Sequence, residues 1–285
     1  MPGSNNQSND KPAVGWIGLG DQGTPIAQAI ADNGYPLHVW ARRPESLKAL
    51  DGHMFTPHSS VAEMAAVSDV VGLCLREDSD NVQVATDGGL LAAMRRGTVL
   101  VNHGTGLPQE ARHLTELAAP YGVAVVDAPV AGGHAASYAR QLTTIVGGDS
   151  DVVQRLTPLF QTFSKVVIHI GEAGSGQYGK LFNNVLMMMN HKNALDVLQL
   201  VKGLDLPIQA LRQVLLSGSA SSYALQAIGP SVTSGNVHHL IPLELIDVEL
   251  FSSAVAVLGA AAKPVIDRAT AGARELDQLT ALIGA

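Results

Sequence analysis

Lys180 and Asn184 stand four residues apart in Gly174-Ser-Gly-Gln-Tyr-Gly-Lys180-Leu-Phe-Asn183-Asn184, a glycine-rich approach that runs into a long stretch of helix formers. That spacing sends an ammonium and a carboxamide out of one helix face, a proton donor beside an uncharged hydrogen-bonding group. Read as one helix, residues 174–203 extend about 45 Å at 1.5 Å per residue, enough to pass from one domain into another. On the helix alone, a buried connector whose lysine reaches solvent is the plainer reading. The rest of the chain has to decide.

A second chemical signal lies at the other end. Gly18-Leu19-Gly20-Asp21-Gln22-Gly23 follows a short apolar strand, Val14 to Ile17, and opens a helix that runs to about Asn33 with Gly34 as its stop. In that context Gly18 permits a tight turn, Gly20 lets backbone approach a pyrophosphate, and Gly23 allows close helix–strand packing. The helix N-terminus supplies the positive dipole end. After the next strand, Leu37 to Trp40, the residue that would accept hydrogen bonds from a ribose is not a carboxylate; the chain reads Ala41-Arg42-Arg43. Two guanidiniums suit the 2′-phosphate of NADP, because arginine pairs bidentately with phosphate oxygens. NADP(H) is therefore the expected cofactor.

The elements that must hold these residues follow from the pattern. Strand-like and helix-like segments alternate from Ala13: helices near 44–50, after Ser60, around 80–86, 109–119 and 149–163, and strands at 70–75, 98–102, 123–127, 142–146 and 165–170. Such alternation specifies an α/β fold, a mostly parallel sheet covered on both faces. After Ile170 only helices remain, at 176–203, 207–217, about 220–228, 242–261 and 264–282, with breaks at Pro207, Gly218, Gly229-Pro230 and Pro264. The expected organisation is a disordered leader (1–11), an NADP-binding Rossmann domain (12–172), an interdomain helix (173–203) and an all-α C-terminal domain (204–285).

Bulk properties narrow the function. The 285 residues are 46% hydrophobic, ample for real cores, and the net charge of −7 leaves no basic stripe to displace counterions from nucleic acid. The single cysteine, Cys74, lies in the apolar run Val70-Val-Gly-Leu-Cys-Leu75, where burial is a better account than thiol chemistry. His238-His239 has no partner at metal spacing, so no metal site is expected. The polar start lacks the features of a signal peptide and no apolar run approaches the roughly 20 residues of a membrane helix, so the expected compartment is the cytoplasm.

With these motifs in hand, the chain from about Val14 to its C-terminus resembles the β-hydroxyacid dehydrogenase family, the group that contains 3-hydroxyisobutyrate dehydrogenases and glyoxylate and semialdehyde reductases. Imine reductases share its architecture. The likeness rests on Ile17-Gly-Leu-Gly-Asp-Gln-Gly23, with Gln22 where methionine is usual, on Ala41-Arg42-Arg43, and on Asp127-Ala-Pro-Val-Ala131-Gly132-Gly133. It rests above all on Gly174, Gly176, Lys180 and Asn184, which match the family's catalytic motif in full. The resemblance implies hydride transfer between nicotinamide and a carbonyl or hydroxyl carbon, with Lys180 and Asn184 catalytic. It extends the cofactor site to Leu75 and Thr105, and it puts Ala131, Gly132, Gly133, His134 and Asp247 on the substrate side. It also implies a homodimer formed through the helical domain, which closes the active site.

Three departures bear on the substrate. The chain has Asn102-His103-Gly104-Thr105 where the family has Asp-x-Ser-Thr, Ala131 where it has serine, and Ile246-Asp247-Val248 where it has Lys-Asp-Leu. Each makes the pocket less polar, so the expected substrate is bulkier or less acidic than a short hydroxy acid. An imine reductase is the nearest alternative, and a non-catalytic NADP-binding sensor is an alternative of another class. Of the remaining signals, Met187, Met188 and Met189 fit core packing or a subunit contact, His103 fits a structural role better than a cofactor contact, and Tyr223 sits where relatives often close the pocket.

Overall fold

A computed structural model describes residues 11–285. The leader reading falls on residues 1–10, which lie outside the described residues. Lys11 is already part of the fold, with its ammonium 4.8 Å from the centroid of the Tyr35 ring and donating to the Asn33 carbonyl.

Among the described residues, 11–104 and 110–176 form one compact unit. Its elements run β1 (Val14–Ile17), α1 (Gly23–Asp32), β2 (Leu37–Trp40), β3 (Thr56–Pro57), α2 (Val61–Val67), β4 (Val70–Leu73), α3 (Asp78–Ala85), α4 (Leu90–Ala93) and β5 (Val99–Asn102). They continue with α5 (Pro108–Ala118, whose first two residues belong to the second unit), β6 (Ala124–Asp127), β7 (Val130–Ala131), α6 (Gly133–Tyr138), β8 (Leu142–Gly147), α7 (Ser150–Phe160) and β9 (Ser164–Gly171). The sheet order is β3-β2-β1-β4-β5-β6-β8-β7, with β9 paired to β8. Pairings from β3 to β6 are parallel, while β8 runs antiparallel to β6 and β7. Strands β1, β4 and β5 are buried at every position, as apolar strands covered by helices on both faces must be. The α/β plan read from the pattern is the plan the chain adopts.

The second unit holds Thr105–Gln109 and Gln177–Ala285. Its helices are α8 (Ser175–Gly203, whose first two residues belong to the first unit), α9 (Ile208–Ser217), α10 (Tyr223–Ala227), α11 (Val237–Ala254), α12 (Lys263–Arg274) and α13 (Leu276–Ile283). The long helix contributes to two cores. Leu181, Val185 and Met188 pack with Val248, Phe251, Ala269 and Ala273, whereas Leu195 and Leu198 pack with Leu225, Leu276, Leu279 and Ile283. Met188 is fully buried there, in line with the packing role expected of the methionines.

Two expected boundaries are corrected, both by tertiary burial. The helix expected over 242–261 runs from Val237 to Ala254 with Pro242 inside it, and a separate 3-10 turn, Ala256–Ala261, follows. Burial of Val237, Glu244, Val248, Phe251 and Ala254 on one helix outweighs the hydrogen bond that a proline cannot donate. The single helix expected over 264–282 is two helices, broken at Glu275 (φ −103°, ψ 16°). The break turns Ala269 and Ala273 into one core and Leu276, Leu279 and Ile283 into the other. Strands β3 and β7 and helices α4 and α6 are too short for any periodicity to announce. Among the described residues no helix is long and apolar enough to cross a membrane.

Candidate active site

The glycine turn joins β1 to α1. A Cβ built on Gly18 (φ +107°) would lie 2.2 Å from the Cys74 carbonyl oxygen, and one on Gly23 would lie 2.0 Å from the Gly18 oxygen, so protein backbone itself demands glycine at both positions. At Gly20 a Cβ would meet nothing within 4 Å. The open side of the turn therefore lies at the one glycine the fold does not require. No side chain caps the N-terminus of α1 and no acidic residue stands in its first turn, so its dipole end remains available to an anion. These features fit a dinucleotide pyrophosphate, which Leu19, Asp21 and Gln22 would flank. Gln22 also has a buried side-chain oxygen with no hydrogen-bond partner.

Elsewhere in this unit, Arg42 and Arg43 follow β2 and are exposed, and Arg42 is held by Asp80 at 2.9 Å. Leu75 lies just past β4, packed against the core. Cys74 beside it is half-buried, and burial pushes its thiol up to about 12, so it is inert as a nucleophile. His103 is buried against Trp16, Phe160 and Phe163, with Nδ1 2.9 Å from the Ala128 oxygen. Desolvation holds it neutral, down to about 4, which is the structural role expected of it. Ala131 ends β7, and Gly132 and Gly133 start α6. His134 is exposed, its ring centroid 4.8 Å from that of Tyr138. Asp127 is buried and accepts from the Gly174 amide at 2.7 Å, an anchor for the approach to α8 that the motif itself did not announce.

In the helical unit, α8 and α11 pack antiparallel through a run of contacts. The Tyr178 hydroxyl donates to the Ala254 oxygen (3.3 Å), Phe182 meets Phe251 edge-on (5.2 Å), and Asn184 Nδ2 donates to Asp247 Oδ2 (2.7 Å). This brings three of the expected residues together: Lys180, Asn184 and Asp247. Asn184 is buried, and its own oxygen accepts from Asn183 at 3.0 Å. Desolvation lowers the pKa of Lys180, against the opposing charge of Asp247, while desolvation raises that of Asp247, against the pull of Lys180 and of the Asn184 hydrogen bond. An ammonium made easier to deprotonate beside an ordered amide is what reversible proton transfer to an oxygen requires. Thr105, expected at the cofactor, also belongs to this unit. Its neighbour Gly106 donates its amide to Gln177 at 2.9 Å. Tyr223 opens α10 and is exposed.

Residues 13–171, more than half of the chain, match the family model for the NAD-binding domain of 6-phosphogluconate dehydrogenase. An NAD-dependent L-serine dehydrogenase of Pseudomonas aeruginosa is 30% identical over 219 residues, 76% of this chain and 73% of that protein. The chain belongs to the β-hydroxyacid dehydrogenase family. Among solved structures, the 3-hydroxyisobutyrate dehydrogenase of Mycobacterium tuberculosis, determined with L-serine, matches this family member over 96% of its length and 98% of the other chain, at a TM-score of 0.83 and 26% identity. An imine reductase from a Pseudomonas species shares the fold at a TM-score of 0.64 and 16% identity, covering 96% and 99% of the two chains. The protein is thus a nicotinamide-dependent oxidoreductase of β-hydroxyacid dehydrogenase type.

Proposed function

We propose that this family member is an NADP(H)-dependent dehydrogenase or reductase of a CH–OH/C=O pair in which Lys180 transfers the proton. The observation that carries the reading is the grouping of Lys180, Asn184 and Asp247 on facing sides of α8 and α11. The turn Gly18–Gly23 would hold the pyrophosphate, with Arg42 and Arg43 at the 2′-phosphate. Bound there, nicotinamide supplies or accepts the hydride. In reduction the Lys180 N–H bond breaks as the O–H bond of the product forms, and in oxidation neutral Lys180 takes that proton back. Asn184 has two amide hydrogens, so its bond to Asp247 leaves a second for the substrate oxygen. Asp247 orients Asn184 and supports the ammonium. Gly133 offers its backbone N–H to a polar group of the substrate, with Gly132 beside it.

The substrate is less acidic or bulkier than the short acids of the family. Ala131 and Ile246 supply no polar group where the family carries serine and lysine, and His103 is committed to the Ala128 carbonyl. The same loss of carboxylate contacts favours, as a second reading, reduction of C=N bonds. The protein would work as a homodimer through its helices. Support comes from Phe182, Leu186, Val197 and Leu200, which α8 leaves between 44% and 71% exposed along its length, far more apolar surface than a solvated helix face carries. Light scattering in solution checks the dimer.

Lys180→Ala tests the central claim. Turnover should fall by roughly 10²–10⁴ while NADPH affinity, read from cofactor fluorescence, stays put; unchanged turnover would sink the mechanism. A screen of aldehydes, ketones, imines and short hydroxy acids against NADPH places the substrate. Efficient turnover of short hydroxy acids alone would refute the apolar pocket, and NADPH binding without oxidation of any substrate would favour a sensor.

A further inference from the structure

Strands β2 and β4 flank β1 in the sheet, and Trp40 and Leu73 are both in register with Ile17, the residue that leads into the glycine turn. Arg42 follows the end of β2, and Asp80 stands in the first turn of α3, the helix after β4. Ligands of a parallel sheet lodge outside the carboxyl ends of such strands. The contact of 2.9 Å between Arg42 Nη2 and Asp80 Oδ1 therefore joins the rims of that crevice from either side of the turn. Its side chains are 64% and 31% exposed, so the pair is open to a ligand and not sealed in a core.

A carboxylate in the first turn of α3 stabilises the helix dipole, a role that Asp78 in the same turn also fills. What sets Asp80 apart is its partner, a guanidinium 38 positions earlier in the chain.

We infer that Asp80 is a specificity-determining residue, the internal counter-anion that the 2′-phosphate of a cofactor must displace from Arg42. The inference rests on the reading of Arg42 and Arg43 as the 2′-phosphate site. A guanidinium grips phosphate through two parallel N–H bonds, and Nη2, which Asp80 engages, is part of that fork. When NADPH binds, Arg42 turns from carboxylate to phosphate. Asp80 is then left without its cation beside a group that carries about −1.5 to −2 charge. NADH has a hydroxyl at that position, leaves the pair intact and meets neither cost. Both costs have one sign: Asp80 weakens NADPH and narrows the gap between the two cofactors. An exposed ion pair is weak in water, so Asp80 tempers the preference for the phosphate without abolishing it.

The experiment is a fluorescence titration of NADPH and NADH with the wild type, Asp80→Asn, Asp80→Ala, Glu77→Gln and Arg42→Ala. Asparagine keeps the shape and removes the charge, and alanine removes the contact as well. Glu77 is exposed, three residues away, and accepts from Ser79, so Glu77→Gln makes the same change in net charge without touching the pair. Both Asp80 variants should tighten NADPH about three- to tenfold and leave NADH within about twofold. Glu77→Gln should tighten NADPH by less than about twofold. NADPH affinity that is unchanged or weaker in either Asp80 variant, while Arg42→Ala weakens NADPH selectively, overturns Asp80 as the competitor and leaves the arginine site standing. A gain as large in Glu77→Gln, or an equal gain for NADH, also overturns it, because either reports net charge and not the Arg42 pair. An Arg42→Ala that weakens neither cofactor, or both alike, removes the 2′-phosphate from Arg42 and the inference with it.

Discussion

In the mechanism proposed above, the glycine turn of the first unit and the α8–α11 row of the second meet the same need, holding charge, by opposite means. The turn works with backbone. Gly23 and Gly18 are fixed by carbonyl oxygens 2.0 and 2.2 Å from where side chains would begin, and the turn's positive potential comes from an uncapped helix end. The row works with side chains, a half-buried lysine and a half-buried aspartate that accepts from one asparagine, with a second carboxylate, Glu244, buried on the same helix as the aspartate. Backbone binding suits a cofactor common to many enzymes because it tolerates change in the surrounding side chains. Side-chain charge suits the reacting step because its pKa can be moved by one substitution.

Substitutions in the turn give the largest test of this contrast. Gly23→Ala places a methyl group against the Gly18 carbonyl and should destabilise the first unit by about 3 kcal/mol or more, read by denaturant unfolding. Gly20→Ala places its Cβ within 4 Å of no protein atom, so stability should hold while dinucleotide affinity falls about tenfold or more. Equal effects of the two on stability would break the division between a glycine kept for the fold and one kept for the ligand.

Buried imidazoles offer a second comparison. His103 is hydrogen-bonded in an aromatic box and held neutral, down to about 4, whereas His191 has neither nitrogen satisfied. Because the unfolded chain binds a proton near pH 6.5 and the folded His103 does not, the stability it contributes is complete above that pH. It is lost as pH falls toward 4, on the order of 3 kcal/mol in all. Unfolding midpoints measured from pH 7 to 4 should fall accordingly, and His103→Gln should flatten the curve.

The last comparison concerns the exposed arginines. Replacing Arg42 and Arg43 with alanine should weaken NADPH by about 1.5–3 kcal/mol and leave NADH nearly unchanged, in a fluorescence titration of both cofactors. The lower end is expected, since Arg42 must leave Asp80 to reach a phosphate. Equal loss for both cofactors would remove the 2′-phosphate from the account.

Much of this was legible before any coordinates. Strands β1, β4 and β5 are continuous apolar runs, the glycine motif follows one and opens a helix, and Lys180 and Asn184 share a helix face by spacing alone. Other features had no local signal. Pro242 argues for a helix start and is overruled by the buried face of α11; the break at Glu275 exists because two cores pull the chain in different directions. Asp247 was placed on the substrate side from the family motif, but its bond to Asn184 joins residues 63 positions apart.

The sequence by itself determined the class of fold, the turn and the helix face that Lys180 and Asn184 share, because periodicity, glycine and i, i+4 spacing act within a few residues. Only tertiary structure decided which groups that lysine feels. Charges interact through space, and the burial that strengthens those interactions is made by helices that meet only when the chain has folded.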